Sequence, residues 1–306
     1  MLRRSLIPAL GFLLAALIAG CAGRSGGGLR AIGIESQYAD VISQIAGPYA
    51  AVRAIETNPN TDPHEFEASP SVARAIASAS LVVENGLGYD SWAGRIMAAA
   101  PNPRRKVIDV QRLLGLPATA NPHLWYEPGT MPAVASAVAA ALSRLRPAQA
   151  AYFHANVRKF DASLEPWRQA LAAFKRRYAS TPVAVTEPVA DALLEAAGCT
   201  ILTPHSLQIA IMNGRDPAPQ DVAAQQALLR EHRVKVLVYN RQVTNALTTS
   251  FLDLARRNGI PVVGVYETLP AGYHYQSWMQ AELAALQRAV SRGISTESLG
   301  QGATHP

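Results

Sequence analysis

Short apolar strands that alternate with amphipathic helices predict an α/β fold of two lobes, each with a mostly parallel sheet flanked by helices, joined by a long backbone helix. Three observations carry this reading. The alternation runs from about residue 30 to residue 108 and restarts after residue 180. Between the two runs, Phe153, Val157, Phe160, Leu164, Trp167, Leu171, Phe174 and Tyr178 recur at spacings of four and three, one apolar stripe on a helix. The 306 residues are 49% hydrophobic and 16% charged, enough to bury a substantial core.

In the first lobe, assigned to residues 30–146, strands are expected at 30–34, 51–55, 81–83 and 107–108. Helices are expected at 38–46, 71–79, 91–99 and 133–145, and Asn85-Gly86-Leu87-Gly88 reads as a turn. The linking helix is assigned to residues 147–179. Its striped part extends roughly 40 Å at about 1.5 Å per residue, and Pro166 within it should kink it or divide it. The second lobe, residues 180–294, carries expected strands at 182–185, 200–202, 234–239 and 261–265. Helices are expected at 189–197, 221–231, between the last two strands, and at 275–292. Residues 295–306 read as a polar, frayed tail.

The N-terminus reads as an export signal. Arg3 and Arg4 precede an apolar run from Leu6 to Ile18, too short to span a bilayer as a mature helix. The run ends at Ile18-Ala19-Gly20-Cys21, small residues before a cysteine, as in a lipobox. On this reading residues 1–20 are a signal peptide, Cys21 receives lipid, and residues 21–29 form a flexible tether. The product is an exported lipoprotein, in a periplasm or on the outer face of the cytoplasmic membrane. Cys199 is then without a partner for a disulfide or a thiolate zinc site and reads as a buried strand-end thiol. The formal charge of +6 is scattered and Arg-rich, so with export it argues for a solvated surface and against a nucleic-acid partner.

Four side chains stand at the C-terminal ends of predicted strands or in the loops after them, where open parallel sheets place ligands. His64, in Asp62-Pro63-His64, and His123, in Asn121-Pro122-His123-Leu124-Trp125, both follow a proline that stiffens their approach. Glu187 directly ends the strand at 182–185, where a helix-terminal carboxylate is the competing reading. Glu267 ends the strand at 261–265, where a solvated rim residue competes. Two imidazoles with two carboxylates suit divalent zinc, manganese or iron. His205 and His274 follow or precede predicted elements near the same ends, and His154 and His232 are expected on exposed helix surface.

Taken together, these residues resemble the metal-binding lipoproteins of zinc and manganese ABC importers, the cluster A-I solute-binding family. The likeness runs from about residue 30 to about residue 290. Asp62-Pro63-His64 matches the family's first motif, and Asn121-Pro122-His123-Leu124-Trp125 its second, with Asn121 where aspartate is usual. Asn85-Gly86-Leu87-Gly88 matches a family turn, and Val238-Tyr239-Asn240-Arg241-Gln242 resembles its second-lobe strand end. The resemblance implies His64, His123, Glu187 and Glu267 as metal ligands, two from each lobe, with Glu267 where aspartate is usual. It implies Zn2+ or Mn2+ as transported ligand, an ABC permease as membrane partner, and a carrier for which monomer is expected. A longer glutamate could bind through one oxygen or two. No His-rich acidic loop follows the first motif, which, with two carboxylates, tilts the expectation slightly towards manganese.

Other classes make different demands. A secreted metallohydrolase would keep an open position for catalytic water, but neither a His-Glu-x-x-His helix nor a Gly-x-Ser-x-Gly elbow is present; no enzyme activity is expected. An adhesin on the same fold would bind a protein partner independently of His64. A haem or chelate carrier would need a wide apolar cleft in place of four converging ligands.

Overall fold

The computed structural model describes residues 28–300. The expected signal peptide, the lipidation site Cys21, all but the end of the tether, and residues 301–306 lie outside the described residues.

In the first half of the chain, β1 (Leu29–Glu35), α1 (Ser36–Ala46), β2 (Ala50–Glu56), α2 (Pro70–Ala77), β3 (Leu81–Glu84), α3 (Ser91–Ala99) and β4 (Lys106–Asp109) alternate as their sequences require. They are followed by α4 (Val110–Leu113) and α5 (Thr130–Leu145). All pairings in this sheet are parallel, in the order β2-β1-β3-β4. The central strands β1 and β3 are therefore covered on both faces and read as nearly unbroken apolar runs. The second half repeats the plan with β5 (Pro182–Val185), α8 (Asp191–Ala196), β6 (Thr200–Ile201), α9 (His205–Met212), α10 (Pro219–Arg230), β7 (Val236–Asn240), α11 (Ala246–Arg257), β8 (Val262–Val265) and α12 (Tyr275–Arg292). Its sheet is also parallel, in the equivalent order β6-β5-β7-β8. Strand order reverses between β1 and β3 and between β5 and β7, which opens a crevice at the C-terminal ends of each sheet.

The long apolar stripe is present, and Pro166 divides the helix instead of kinking it. The segment forms α6 (Ala150–Ser163) and α7 (Glu165–Tyr178), separated at Leu164. Pro166 sits in the first turn of α7, where a missing N–H costs nothing. α6 packs on α1 and α5, and α7 on α12. Phe153, Phe160, Leu164, Trp167, Leu171 and Phe174 are all buried, so the stripe continues across the break.

Two further differences have physical causes. α9 was not foreseen: it begins at His205, which is exposed, and buries only Leu207, Gln208 and Ile211. The start of the expected tail is not frayed: Thr296 N–H donates to Val262 O and Gly264 N–H to Thr296 O, both at 2.9 Å, extending the sheet beyond β8. Gly264 is needed there, since a Cβ would stand 2.4 Å from Glu297 O.

Candidate metal centre

Each prospective ligand is fixed by the loop that carries it. After β2, the Asp62 side chain accepts the His64 backbone N–H at 2.8 Å and caps a short 3-10 turn at Pro63–Glu65. The His64 ring is 23% exposed and stacks edge-on against Tyr89.

His123 is buried, and Asn121 holds it twice. Asn121 Nδ2 donates to Pro188 O at 2.6 Å, which fixes the amide's orientation because a carbonyl can only accept. Asn121 Oδ1 therefore accepts from the His123 backbone N–H at 3.1 Å and from Nδ1 at 2.8 Å. Nδ1–H is thereby tied to Asn121, so Nε2 is the ring nitrogen left to face Glu267 and the one whose lone pair a metal would take in place of its proton. The turn at residues 85–88 supports this loop: Asn85 Nδ2 donates to Pro122 O at 2.8 Å, and Tyr38 OH to Asn85 Oδ1 at 2.6 Å. Gly86, at φ 82°, must be glycine there, since a Cβ would meet Gln111 at 2.8 Å.

Glu267 lies just beyond β8 and is 1% exposed. Its Oε2 stands 3.1 Å from His123 Nε2 and 3.4 Å from His64 Nε2, and accepts from Tyr89 OH at 2.8 Å. One donor atom from each of His64, His123 and Glu267 lies within 4.8 Å of the others. Burial alone would raise the Glu267 pKa; the charge of His123, then hydrogen bonds from His123 and His64, hold it well below the usual carboxylate range. For His64, burial acts downward, but the Glu267 hydrogen bond and charge prevail and raise its pKa. A carboxylate flanked by two imidazoles is the polarity a divalent cation would replace.

Glu187 stands beside this trio but not within it. It is 3% exposed and does not open a helix, since α8 begins only at Asp191. Its Oε2 is 3.4 Å from Asn240 Nδ2, and its Oε1 is buried with no hydrogen-bond partner among the described residues. Burial, then the charge of Glu267, push its pKa well up. A buried carboxyl oxygen of this kind fits a bound divalent cation, which would supply the partner that the protein does not. Of the other histidines, His274 is held by Asp40 at 2.6 Å on the surface, and His154 and His232 are exposed. His232 lies in the turn after α10, not on a helix. Cys199, expected as a buried strand-end thiol, is only partly buried and stands just before β6; burial pushes its thiol up to about 11, which disfavours the thiolate.

Sequence reasoning missed Tyr89, Asn240 and Gln242 as parts of this centre. Tyr89 directly follows the 85–88 turn, Asn240 ends β7 and Gln242 lies two residues beyond it; the sequence marks both segments but not which side chains enter the centre. Gln242 Oε1 accepts from Glu267 N–H at 2.7 Å and Thr268 N–H at 2.9 Å, while its Nε2 donates to Thr61 O at 2.7 Å. One amide thus joins the loop of Glu267 to the loop of His64. Gln37 Nε2, donating to Glu267 O at 3.2 Å, adds a second link across the crevice.

Residues 35–289 match the family described as the zinc-uptake complex component A, periplasmic, ZnuA. The chain belongs to that family. Among curated relatives of this ZnuA-family chain, the manganese-binding lipoprotein MntA of Halalkalibacterium halodurans is 27% identical over 128 residues, covering 38% of this chain and 41% of MntA. The chain spans only about a third to two fifths, 32% and 41%, of the length of the curated relatives it matches. The ZnuA-family fold is shared with FpvC from Pseudomonas aeruginosa in complex with Mn2+, at TM-score 0.70 and 23% identity over 86% of this chain and 98% of FpvC. It is shared equally with the periplasmic zinc-binding protein TroA from Treponema pallidum, at TM-score 0.72 and 14% identity over 88% of this chain and 100% of TroA. At these identities the likeness is one of fold: two parallel-sheet lobes with flanking helices.

Proposed function

We propose that this chain is an extracytoplasmic solute-binding protein that captures a divalent transition metal, zinc or manganese, and delivers it to an ABC importer. The observation that carries the reading is the convergence of His64 Nε2, His123 Nε2 and Glu267 Oε2 in a buried crevice between two lobes. Membership of the ZnuA family supports it. Glu187 is the fourth ligand in this proposal, supported by its unpartnered Oε1 and its link through Asn240. Metal is the cargo: a shell filled by protein side chains holds the ion without an open position for water chemistry. The permease reads the loaded surface across both lobes, and one copy of the chain serves one ion.

Export and anchoring belong to the same proposal. Cleavage before Cys21 and lipidation of its thiol hold the folded body at the membrane, and the lipobox-like Ile18-Ala19-Gly20-Cys21 supports this. Among the described residues, no helix is long and apolar enough to cross a membrane.

The decisive experiment titrates Zn2+ and Mn2+ in parallel into apo protein comprising residues 22–306, beside His123→Ala. One tight equivalent, weakened at least about a hundredfold in the variant, is expected, since loss of supporting partners alone costs 10–100-fold. Equal binding in both proteins would remove the assigned centre. Anchoring is checked separately: Cys21→Ser should shift the protein from membrane to soluble fractions.

A further inference from the structure

Asn240 ends β7, is 1% exposed, and lies between the two carboxylates. Its Oδ1 accepts the Gln242 backbone N–H at 2.9 Å, so its amide orientation is fixed and Nδ2 faces the crevice. The two Nδ2 protons reach one oxygen of each carboxylate: Glu267 Oε1 at 2.6 Å and Glu187 Oε2 at 3.4 Å. The oxygens that Asn240 leaves free are Glu267 Oε2, which faces both imidazoles and accepts from Tyr89 OH at 2.8 Å, and Glu187 Oε1, which is buried and unpartnered among the described residues.

From this arrangement we infer that Asn240 sets the metal preference of the centre by limiting each carboxylate to one donor oxygen. The inference rests on the metal-receptor reading above. A carboxylate that grips an ion with both oxygens must turn both towards it. An oxygen that accepts an N–H from an amide locked by Gln242 is turned towards β7, whereas the rotatable Tyr89 hydroxyl on Glu267 Oε2 leaves that oxygen a second lone pair for the ion. With Asn240 in place the crevice offers two imidazole nitrogens and two single carboxylate oxygens, a four-donor set. Four donors of nitrogen and oxygen suit tetrahedral zinc; manganese favours six, mostly oxygen. Without the amide, Glu187 and Glu267 can each offer a second oxygen, and the set can expand to six. Asn240 is therefore a positioning residue that disfavours manganese, against the slight tilt towards that metal suggested by the carboxylates alone.

The test measures Zn2+ and Mn2+ affinities by chelator competition for the wild type, Asn240→Asp and Asn240→Ala. Asn240→Asp keeps the acceptor for Gln242 N–H and removes the donor but adds a charged carboxylate, whereas Asn240→Ala removes the donor without adding charge or an oxygen ligand, so only a change shared by both variants is read as loss of the donor. In both variants the preference for zinc over manganese should fall by about tenfold or more, and X-ray absorption of the manganese-loaded proteins should count more oxygen donors than in the wild type. A purely structural role would weaken both metals alike and leave the ratio unchanged; a ratio within twofold of wild type overturns the inference. The zinc-loaded wild type decides the matter even if a variant does not fold: about four light donors is expected, and five or six would overturn it. Failure of the wild type to bind either metal would instead sink the receptor reading itself.

Discussion

Asn121 does a job that the aspartate usual at its position could do only in part. Either side chain can accept the two His123 protons, but only the amide can also donate to Pro188 O, which lies next to Glu187. One side chain thereby ties an imidazole from one lobe to the loop of a carboxylate from the other. Asn121→Ala should cost roughly 10–100-fold in metal affinity without removing a ligand, measured by titration beside His123→Ala. Behind the centre, burial, then the Asp90 charge, push the Glu56 carboxyl up to about 9 against the opposing influence of the nearby Trp92 indole N–H, and among the described residues neither oxygen has a partner in hydrogen-bond geometry. Between the ordinary carboxylate range and that value the folded protein keeps a proton that the unfolded chain releases, so this group makes stability fall as pH rises. Glu56→Gln should leave the melting temperature nearly unchanged at pH 5 and raise it relative to wild type at pH 8; an equal effect at both would remove the assignment. The histidines were legible in the sequence because proline, loop and strand end coincide within a few residues. Tyr89 and Asn240 were not, because their role exists only through contacts to Glu267 that are 178 and 27 residues distant in the chain.

At the scale of elements, periodicity told most where the pattern was long. The stripe from Phe153 to Tyr178 was plain, and Pro166 marked the one place where a single helix could not continue. Its position in the first turn of α7 predicts that Pro166→Ala changes stability by less than about 1 kcal/mol. Trp167→Ala, in the same turn but fully buried, should cost about 3–5 kcal/mol. Denaturant unfolding of the two variants separates these outcomes. α9 was illegible because Leu207, Ile209, Ala210, Ile211 and Met212 put apolar residues nearly all round its two turns, so no one-sided stripe shows. The strand-like pairing of Thr296 was illegible for a different reason: it depends on the open edge of β8, which supplies the partner, and the local composition of polar residues and glycine gives no hint of it.

Over the whole molecule, the two sheets were predictable from alternation alone, while the depth of their union was not. The largest apolar cluster runs without interruption from Ala31 and Val83 through Trp125, Phe153 and Trp167 to Val183, Val236 and Trp278. Its members come from both sheets and from both halves of the divided helix. Hydrogen bonds from Gln242, Gln37 and Asn121 close the same seam on the polar side. Metal-free protein should therefore melt in one cooperative transition, with calorimetric and van't Hoff enthalpies in agreement. Two resolved transitions would show that the lobes are energetically separate. Added metal should raise that single midpoint in proportion to the logarithm of its concentration above the dissociation constant.

That shared interior also bears on how such a chain can change over generations. Trp125, Trp167 and Trp278 are joined through Tyr126 and Tyr275 across what looks from outside like a boundary between two parts. A recombinant that takes its first half from this chain and its second from a distant cousin inherits two halves of a jigsaw cut along different lines. Swapping halves should succeed only where the aromatic seam is exchanged with them, whereas a single replacement at the crevice, such as at Asn121, alters one polar tie and leaves the aromatic side of the seam intact.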